Sequence, residues 1–157
     1  MAYKYIWEDP RTFKINKEDG HTFSMPFDSI EQAMSGEESQ YKQSLNGQWK
    51  FYWQRGMENQ PSDFQSPNFD DSKWGEIKVP SVWQTEGYSV PYYYASTFPR
   101  ALSRVKSQIP KIDSTMQEIG FYRRSFTLPE TWDGREIFLT FSACKAAPVS
   151  YTHLRAH

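Results

Sequence analysis

The chain has 157 residues, 17% of them aromatic, and a formal net charge of −1, which is enough sequence for one domain with a hydrophobic core. The near-neutral charge argues against a nucleic-acid partner, and no apolar run approaches the roughly 20 residues that span a bilayer. Because the first residues also lack a signal peptide, we expect a cytoplasmic protein with no membrane partner.

Residues 1–44 are predicted to form an extended arm, because charged and aromatic residues follow one another there without a sustained period. The rings of such an arm need a surface to pack on, either in the same chain or in a neighbouring subunit. One short helix is predicted between Asp28 and Met34. Asp28 or Ser29 would cap its start, and Gly36 would end it.

The first strand is predicted over 48–53, where Trp49, Phe51 and Trp53 fall on one face. We expect that face to be buried. The loop that follows, residues 55–73, is rich in turn-forming residues, and rings within it and just after it are expected to pin it to the sheet. These rings are Phe64, Phe69 and Trp74.

Asp70 and Asp71 lie side by side at the end of this loop. Neighbouring side chains of an extended chain point in opposite directions, so the two carboxylates are not expected to work as a pair. A turn or a helix cap is favoured over a metal site. The single cysteine, Cys144, has no partner for a disulfide, and with three histidines it gives no zinc-binding spacing.

A short strand at 77–79 leads into an aromatic loop, residues 80–99, that contains three prolines and six rings. Disordered segments are poor in large rings, so this composition predicts an ordered, functional loop. Beyond it, strands are predicted over 121–128 and 135–141, as antiparallel neighbours or as facing strands of a sandwich. The fold class is therefore all-β, an incomplete jelly roll or β-sandwich, because these strands are too few to close two sheets.

In this order the segments resemble the N-terminal region of the family 2 glycoside hydrolases of the β-galactosidase type, from about residue 5 to 147. The runs that carry the resemblance are Trp7-Glu8-Asp9-Pro10, Ile15-Asn16, His21, Ser44-Leu45-Asn46-Gly47-Gln48-Trp49-Lys50-Phe51, Phe69-Asp70-Asp71-Ser72-Lys73-Trp74, Val79-Pro80-Ser81-Val82-Trp83-Gln84, Gly87-Tyr88, Pro91, Gly120-Phe121-Tyr122-Arg123-Arg124-Ser125-Phe126-Thr127-Leu128-Pro129 and Trp132-Asp133-Gly134-Arg135. The resemblance implies a galactose-binding-like jelly roll. It also implies a separate (β/α)8 barrel, whose two glutamates would hydrolyse terminal β-D-galactosides such as lactose with retained configuration.

The resemblance also implies a domain division. Residues 1–44 would be the arm, 45–147 a truncated sugar-binding jelly roll, and 148–157 a non-native tail. The stretch from Val149 to His157 resembles a translated sequencing adaptor, which would exclude it from the fold.

The sugar-contacting residues implied by the resemblance are Tyr94, Ala95 and Ser96, in the aromatic loop. Ala95 stands where the family often has asparagine, and its side chain cannot hydrogen-bond a sugar hydroxyl. Tyr94 could either stack on a pyranose or pack on the protein, whereas packing is favoured for Trp83.

No residue of this chain is expected to be catalytic. Glu86 and Glu118 are interpreted as solvated loop carboxylates, so the chain alone is predicted to be inactive. For the complete enzyme the resemblance implies a barrel domain as partner, a homo-oligomer, and Mg and Na as cofactors. Two alternatives stay open: a stand-alone carbohydrate-binding module, and an interface fragment that complements a separately encoded remainder of the enzyme.

Overall fold

The computed structural model describes residues 6–90, 115, 117–144 and 149–151. The strands in this part are β1 (Gly47–Arg55), β2 (Gly75–Val79) and β3 (Glu118–Arg123), and helix α1 is Ile30–Met34. Short 3-10 turns lie at Ile6–Glu8 and Glu130–Trp132. Strands build the core while the only α-helix of the described part has five residues, so the predicted all-β class is confirmed.

The three strands form one antiparallel sheet in the order β2-β1-β3. The central strand β1 is also the longest, with nine residues, and it carries the alternating aromatic pattern expected from the sequence. Its Phe51 lies opposite Gly75 of β2 and Tyr122 of β3. This register places Phe51 at the centre of the sheet.

One face of the sheet is built around Phe51, which is 1% exposed, and we call it the Phe51 face. The rings of Tyr88 and Tyr122 lie 4.6 Å from the Phe51 ring, and Trp83 stacks on it at 6.3 Å. Ile77 of β2 is buried on the same face. The predicted burial of this face is confirmed at its centre, while Trp49 and Trp53 are half-buried.

The opposite face is built around Phe121, and we call it the Phe121 face. Phe121 and Trp74 are buried there, and Phe64 packs edge-on to Phe121 at 4.8 Å. Phe69 contacts Trp74 at 5.4 Å, and Tyr52 stacks on Trp74 at 5.7 Å. The prediction that these rings pin loop 55–73 to the sheet is therefore confirmed. Both faces of the sheet carry core because the loop returns its rings over the second one.

Helix α1 begins and ends where its capping residues predict. The Ser29 hydroxyl accepts a hydrogen bond from the backbone N–H of Gln32, and Gly36 follows the helix with φ 76°. Farther along the arm, Ser39 is buried and its hydroxyl donates to the carbonyl of Pro26 at 2.6 Å. The second half of the arm is thus locally ordered.

The arm docks on the segment after β3. The indole N–H of Trp132 donates to the carbonyl of Gln40 at 3.1 Å, and the guanidinium of Arg135 lies 4.2 Å from the ring centre of Tyr41. By contrast, Phe13 and Phe23, in the first half of the arm, are 83% and 66% exposed. The contacts with the segment after β3 come from the second half of the arm.

One strand prediction is correct only in part, and another is wrong. The strand predicted over 121–128 ends at Arg123, and the strand predicted over 135–141 does not form. After Arg123 the chain leaves the sheet, and the Arg124 guanidinium donates to the carbonyls of Leu45 and Asn46 at 2.8 and 2.9 Å. Residues 135–141 have no neighbouring strand among the described residues, and an unpaired strand is not stable in water.

No helix in the described ranges is long and apolar enough to cross a membrane. In the last described segment, Tyr151 packs edge-on to Phe64 at 5.5 Å. This residue belongs to the predicted non-native tail, and the boundary at 148 stays a prediction.

Candidate functional site at the base of the aromatic loop

The predicted sugar-contacting residues Tyr94, Ala95 and Ser96 lie outside the described residues, and their role stays a prediction. The structure does describe both ends of the segment that carries them. Residues 80–90 lead from β2 into this segment, and the segment ends where β3 begins, at Glu118. We call these two ends, residues 80–90 and Glu118, the base of the aromatic loop.

The entering segment is a compact turn held on the Phe51 face. The backbone N–H of Tyr88 donates to the carbonyl of Trp83 at 3.0 Å, and Gly87 takes the positive φ of 87° that this reversal needs. The Tyr88 hydroxyl then donates to the carbonyl of Glu76 in β2 at 3.2 Å, while its ring packs on Phe51. Because these contacts hold Tyr88 in place, they also fix the backbone position of the next residue, Ser89.

Trp83 has a packing role, as favoured from the sequence. Its ring stacks on Phe51 with an interplanar angle of 28°, directly over Gly120 of β3. Its indole N–H is buried and has no hydrogen-bond partner within the described ranges. A ring held between a strand glycine and a core phenylalanine is not available to stack on a sugar.

Glu118 corrects the sequence interpretation of a solvated loop carboxylate. It is the first residue of β3, and its side chain is only 7% exposed. Ser89 Oγ lies 2.9 Å from each carboxylate oxygen, and Arg55 Nη2 lies 3.3 Å from Oε1. Burial is tolerated because a hydroxyl and a guanidinium replace part of the lost hydration. Glu86 is exposed, as predicted.

Sequence reasoning missed this cluster because its members are distant in the chain. Arg55 ends β1 and Glu118 opens β3, and the antiparallel register places them opposite each other. Opposite charges at the facing ends of two strands predict an ion pair, but only after the strand pairing is known. No sequence pattern around Ser89 predicted its hydrogen bond with Glu118.

The neighbouring aspartates act separately, as predicted. Asp70 Oδ1 accepts a hydrogen bond from the backbone N–H of Ser72 at 3.0 Å, and hydrogen bonding by Ser72 holds the pKa of Asp70 below its usual value. Asp71 pairs with Arg123 at 2.9 Å. Arg123 also bonds the carbonyls of Phe64 and Ser66, which ties loop 55–73 to β3.

Mg and Na are implied only for the complete enzyme, and their use stays a prediction. Within the described ranges, no three His, Cys, Asp or Glu side chains come together as a metal site. Cys144 is exposed and is not part of a disulfide.

A family model described as "Glycosyl hydrolases family 2, sugar binding domain" matches residues 42–154, well over half of the chain. The chain belongs to this family. Membership agrees with the all-β sheet, since the sugar-binding domain of family 2 has a jelly-roll-like all-β fold. The match begins close to the predicted start of the domain at residue 45 and runs into the predicted tail.

Curated relatives are named β-galactosidase. The protein from Priestia megaterium is 30% identical over 141 residues, covering 88% of this chain and 14% of the relative. That from Psychromonas ingrahamii is 32% identical, covering 90% of this chain and 13% of the relative. A β-galactosidase large subunit from Lactobacillus helveticus is 27% identical over the whole chain, which spans 26% of the relative. The chain thus corresponds to a small part of each relative.

Proposed function

We propose that this chain is the N-terminal sugar-binding region of a retaining β-galactosidase that hydrolyses terminal, non-reducing β-D-galactosides such as lactose. The family match over residues 42–154 carries the proposal. The relatives support it, because β-galactosidases match 88–90% of this chain with only 13–14% of their own length. The remaining length leaves room for a separate catalytic domain.

The chain would contribute a wall of the sugar site and an interface, but not the catalytic glutamates. Retaining hydrolysis needs two carboxyl groups about 5–5.5 Å apart, one as nucleophile and one as acid and base. Glu118 is bound by Ser89 and Arg55, and Glu86 is exposed in a turn. Neither environment suits those roles, which supports a catalytic pair supplied by the barrel domain.

Within that wall, Tyr94 and Ser96 would contact the galactosyl group through their hydroxyls, and Ala95 would contribute shape alone. The proposed partners are the barrel domain and further copies of the complete enzyme, in the cytoplasm. β2 and β3 are the outer strands of the described sheet, and outer strands are where a sheet can contact other parts of the enzyme.

The test is a chimera in which this chain replaces the matched N-terminal region of the Priestia megaterium relative. We expect the chimera to cleave an aryl β-galactoside and to release the β anomer first, as followed by NMR. The same relative without its N-terminal region and the isolated chain are the controls, and both should be inactive. A folded chimera without activity, or turnover by the isolated chain, would contradict the proposal.

A complementing interface fragment is the second candidate, and the exposed rings of the arm favour it. Phe13 and Phe23 are available to pack on another chain. Mixing this chain with the N-terminally deleted relative distinguishes the candidates. Recovered activity supports complementation, whereas activity only in the covalent chimera supports a contiguous domain.

A further inference from the structure

We propose that Asp133 and Gly134 form a site of spontaneous covalent modification, at which Asp133 isomerises to isoaspartate, and that this change loosens the docked arm. The two residues make an exposed turn after the 3-10 turn Glu130–Trp132. The backbone N–H of Gly134 donates to Oδ1 of the Asp133 carboxylate at 3.1 Å. The turn therefore holds a carboxyl group against the amide nitrogen of the next residue. Neither half of the proposal depends on the proposed function.

Isomerisation at this site needs only the two residues and water. The Gly134 nitrogen attacks the carboxyl carbon of protonated Asp133. The acid hydroxyl and the amide proton leave together as water, and a five-membered succinimide ring closes. Water then opens the ring at either carbonyl, which returns aspartate or gives isoaspartate, in which the backbone runs through Cβ. Because the groups that react are held close together, the turn favours the first, intramolecular step.

Gly134 leaves its nitrogen open to this attack. Glycine has no side chain beside the nitrogen, and a Cβ built on Gly134 would meet no atom within 4 Å. Its φ of 75° belongs to the left-handed conformation that glycine adopts without strain. Asp133 and Gly134 are both exposed, so water can reach the succinimide ring in the second step.

The sequence contains a second aspartate-glycine pair, Asp19-Gly20, which serves as an internal comparison. The Asp19 carboxylate is turned toward the ammonium group of Lys14 and forms an ion pair with it. At Asp133, by contrast, the carboxylate accepts a hydrogen bond from the nitrogen that has to attack it. The sequence motif is the same at both places, and the structure favours reaction at Asp133.

The position of Asp133 explains the effect on the arm, because it lies between two residues that hold the arm, Trp132 and Arg135. The Trp132 indole N–H donates to the carbonyl of Gln40 at 3.1 Å. The Arg135 guanidinium lies 4.2 Å from the centre of the Tyr41 ring and donates to its hydroxyl at 3.2 Å. Isoaspartate adds one methylene group to the backbone between Trp132 and Arg135. The spacing of these two side chains then no longer matches their contacts on the arm.

Peptide mapping of the full chain after prolonged incubation at neutral pH tests the modification. Trypsin releases Asp133 in the peptide 125–135 and Asp19 in the peptide 18–42. Methylation by an isoaspartate methyltransferase, followed by mass spectrometry, measures isoaspartate at each residue. We expect it to form about tenfold faster at Asp133 than at Asp19 in buffer, and at similar rates in urea, where the turn is lost. The same ratio of rates in buffer and in urea would overturn the site.

Hydrogen exchange of residues 37–43 in aged and fresh chains tests the effect on the arm. We expect about fivefold faster exchange after ageing, as for the loss of one hydrogen bond, with the amides of β1 unchanged. Repair by the methyltransferase, which returns isoaspartate to aspartate, should restore the exchange rate of the fresh chain.

Asp133→Glu is the matched variant, because it keeps the carboxylate but does not form the five-membered ring. Aged Asp133→Glu should therefore exchange at the rate of the fresh variant. Isoaspartate at Asp133 without faster exchange of residues 37–43 would overturn the effect on the arm. Equal acceleration in aged Asp133→Glu would overturn it as well, since the cause would then lie elsewhere in the chain.

Discussion

Gly120 of β3 lies directly beneath the indole of Trp83. A Cβ atom built on Gly120 would come within 2.6 Å of Trp83 Cζ3 and within 2.8 Å of Phe51 Cε2. Because Gly120 has no side chain, the turn at 83–88 can pack against the central strand β1. This contact connects the sheet to the segment that leads into the aromatic loop.

Gly120→Ala should lower the free energy of unfolding by about 1–3 kcal/mol, because the added methyl group overlaps two rings in the core. Equilibrium urea unfolding followed by tryptophan fluorescence measures the loss. Gly20→Ala is the control, since a Cβ there meets nothing within 4 Å, and it should be neutral. Equal stability of both variants would contradict the close packing of Trp83.

Phe51→Ala should cost about 3–5 kcal/mol, because it removes a fully buried ring from the centre of the sheet. Phe51 contacts three rings from two other segments, so the variant loses packing at the turn and at β3 together. Near-UV circular dichroism and urea unfolding report the change. The control Phe13→Ala affects a ring that is 83% exposed, and it should change stability by less than about 0.5 kcal/mol.

Arg123→Lys should destabilise loop 55–73 even though the charge is kept. The Arg123 guanidinium bonds Asp71 and the carbonyls of Phe64 and Ser66, and it lies over the Phe69 ring. A lysine ammonium cannot reproduce this planar set of donors, so we expect a loss of about 1–2 kcal/mol.

Hydrogen exchange of the loop amides after Arg123→Lys measures the local effect. Arg11→Lys, which alters the exposed ion pair with Asp9, is the control and should leave exchange unchanged. Identical exchange in wild type and Arg123→Lys would show that Arg123 does not hold the loop.

Asp70 should titrate below its usual value of 3.8, because hydrogen bonds from Ser72 favour the charged carboxylate. A depressed pKa means that the stability contributed by Asp70 is present above the unfolded pKa and is lost as the pH falls through the folded one. Ser72→Ala should raise the pKa of Asp70 without removing the backbone hydrogen bond. Carboxyl carbon NMR from pH 2 to 6 measures the pKa, and an unchanged pKa in Ser72→Ala would contradict this cause.

Features with a short-range cause were predictable from the sequence. The alternation of Trp49, Phe51 and Trp53 predicted β1, and Ser29 and Gly36 predicted the limits of α1. The Asp70 turn belongs to the same group, because its hydrogen bond spans two residues. The motifs also predicted the family, since the matched runs occur along the chain in the family's order.

The strand prediction for 135–141 failed because strand formation depends on long-range pairing. Ile137, Leu139 and Phe141 alternate as they would in a strand, but alternation does not supply the neighbouring backbone that a strand needs. Phe138 and Phe141 are 63% and 52% exposed in the structure. Whether an alternating segment becomes a strand depends on its partner, which no local pattern contains.

The sequence by itself determined the all-β class, the central aromatic strand and the membership in family 2, because periodicity, caps and motifs act over a few residues. Only the tertiary structure decided that Glu118 is buried against Ser89 and Arg55, which are 29 and 63 residues away in the chain. It also decided that Trp83 packs over Gly120. The Arg55 contact follows from the pairing of β1 with β3. The Ser89 and Trp83 contacts follow from the packing of the 80–90 segment on Phe51. Strand pairing and ring packing of this range are properties of the folded chain.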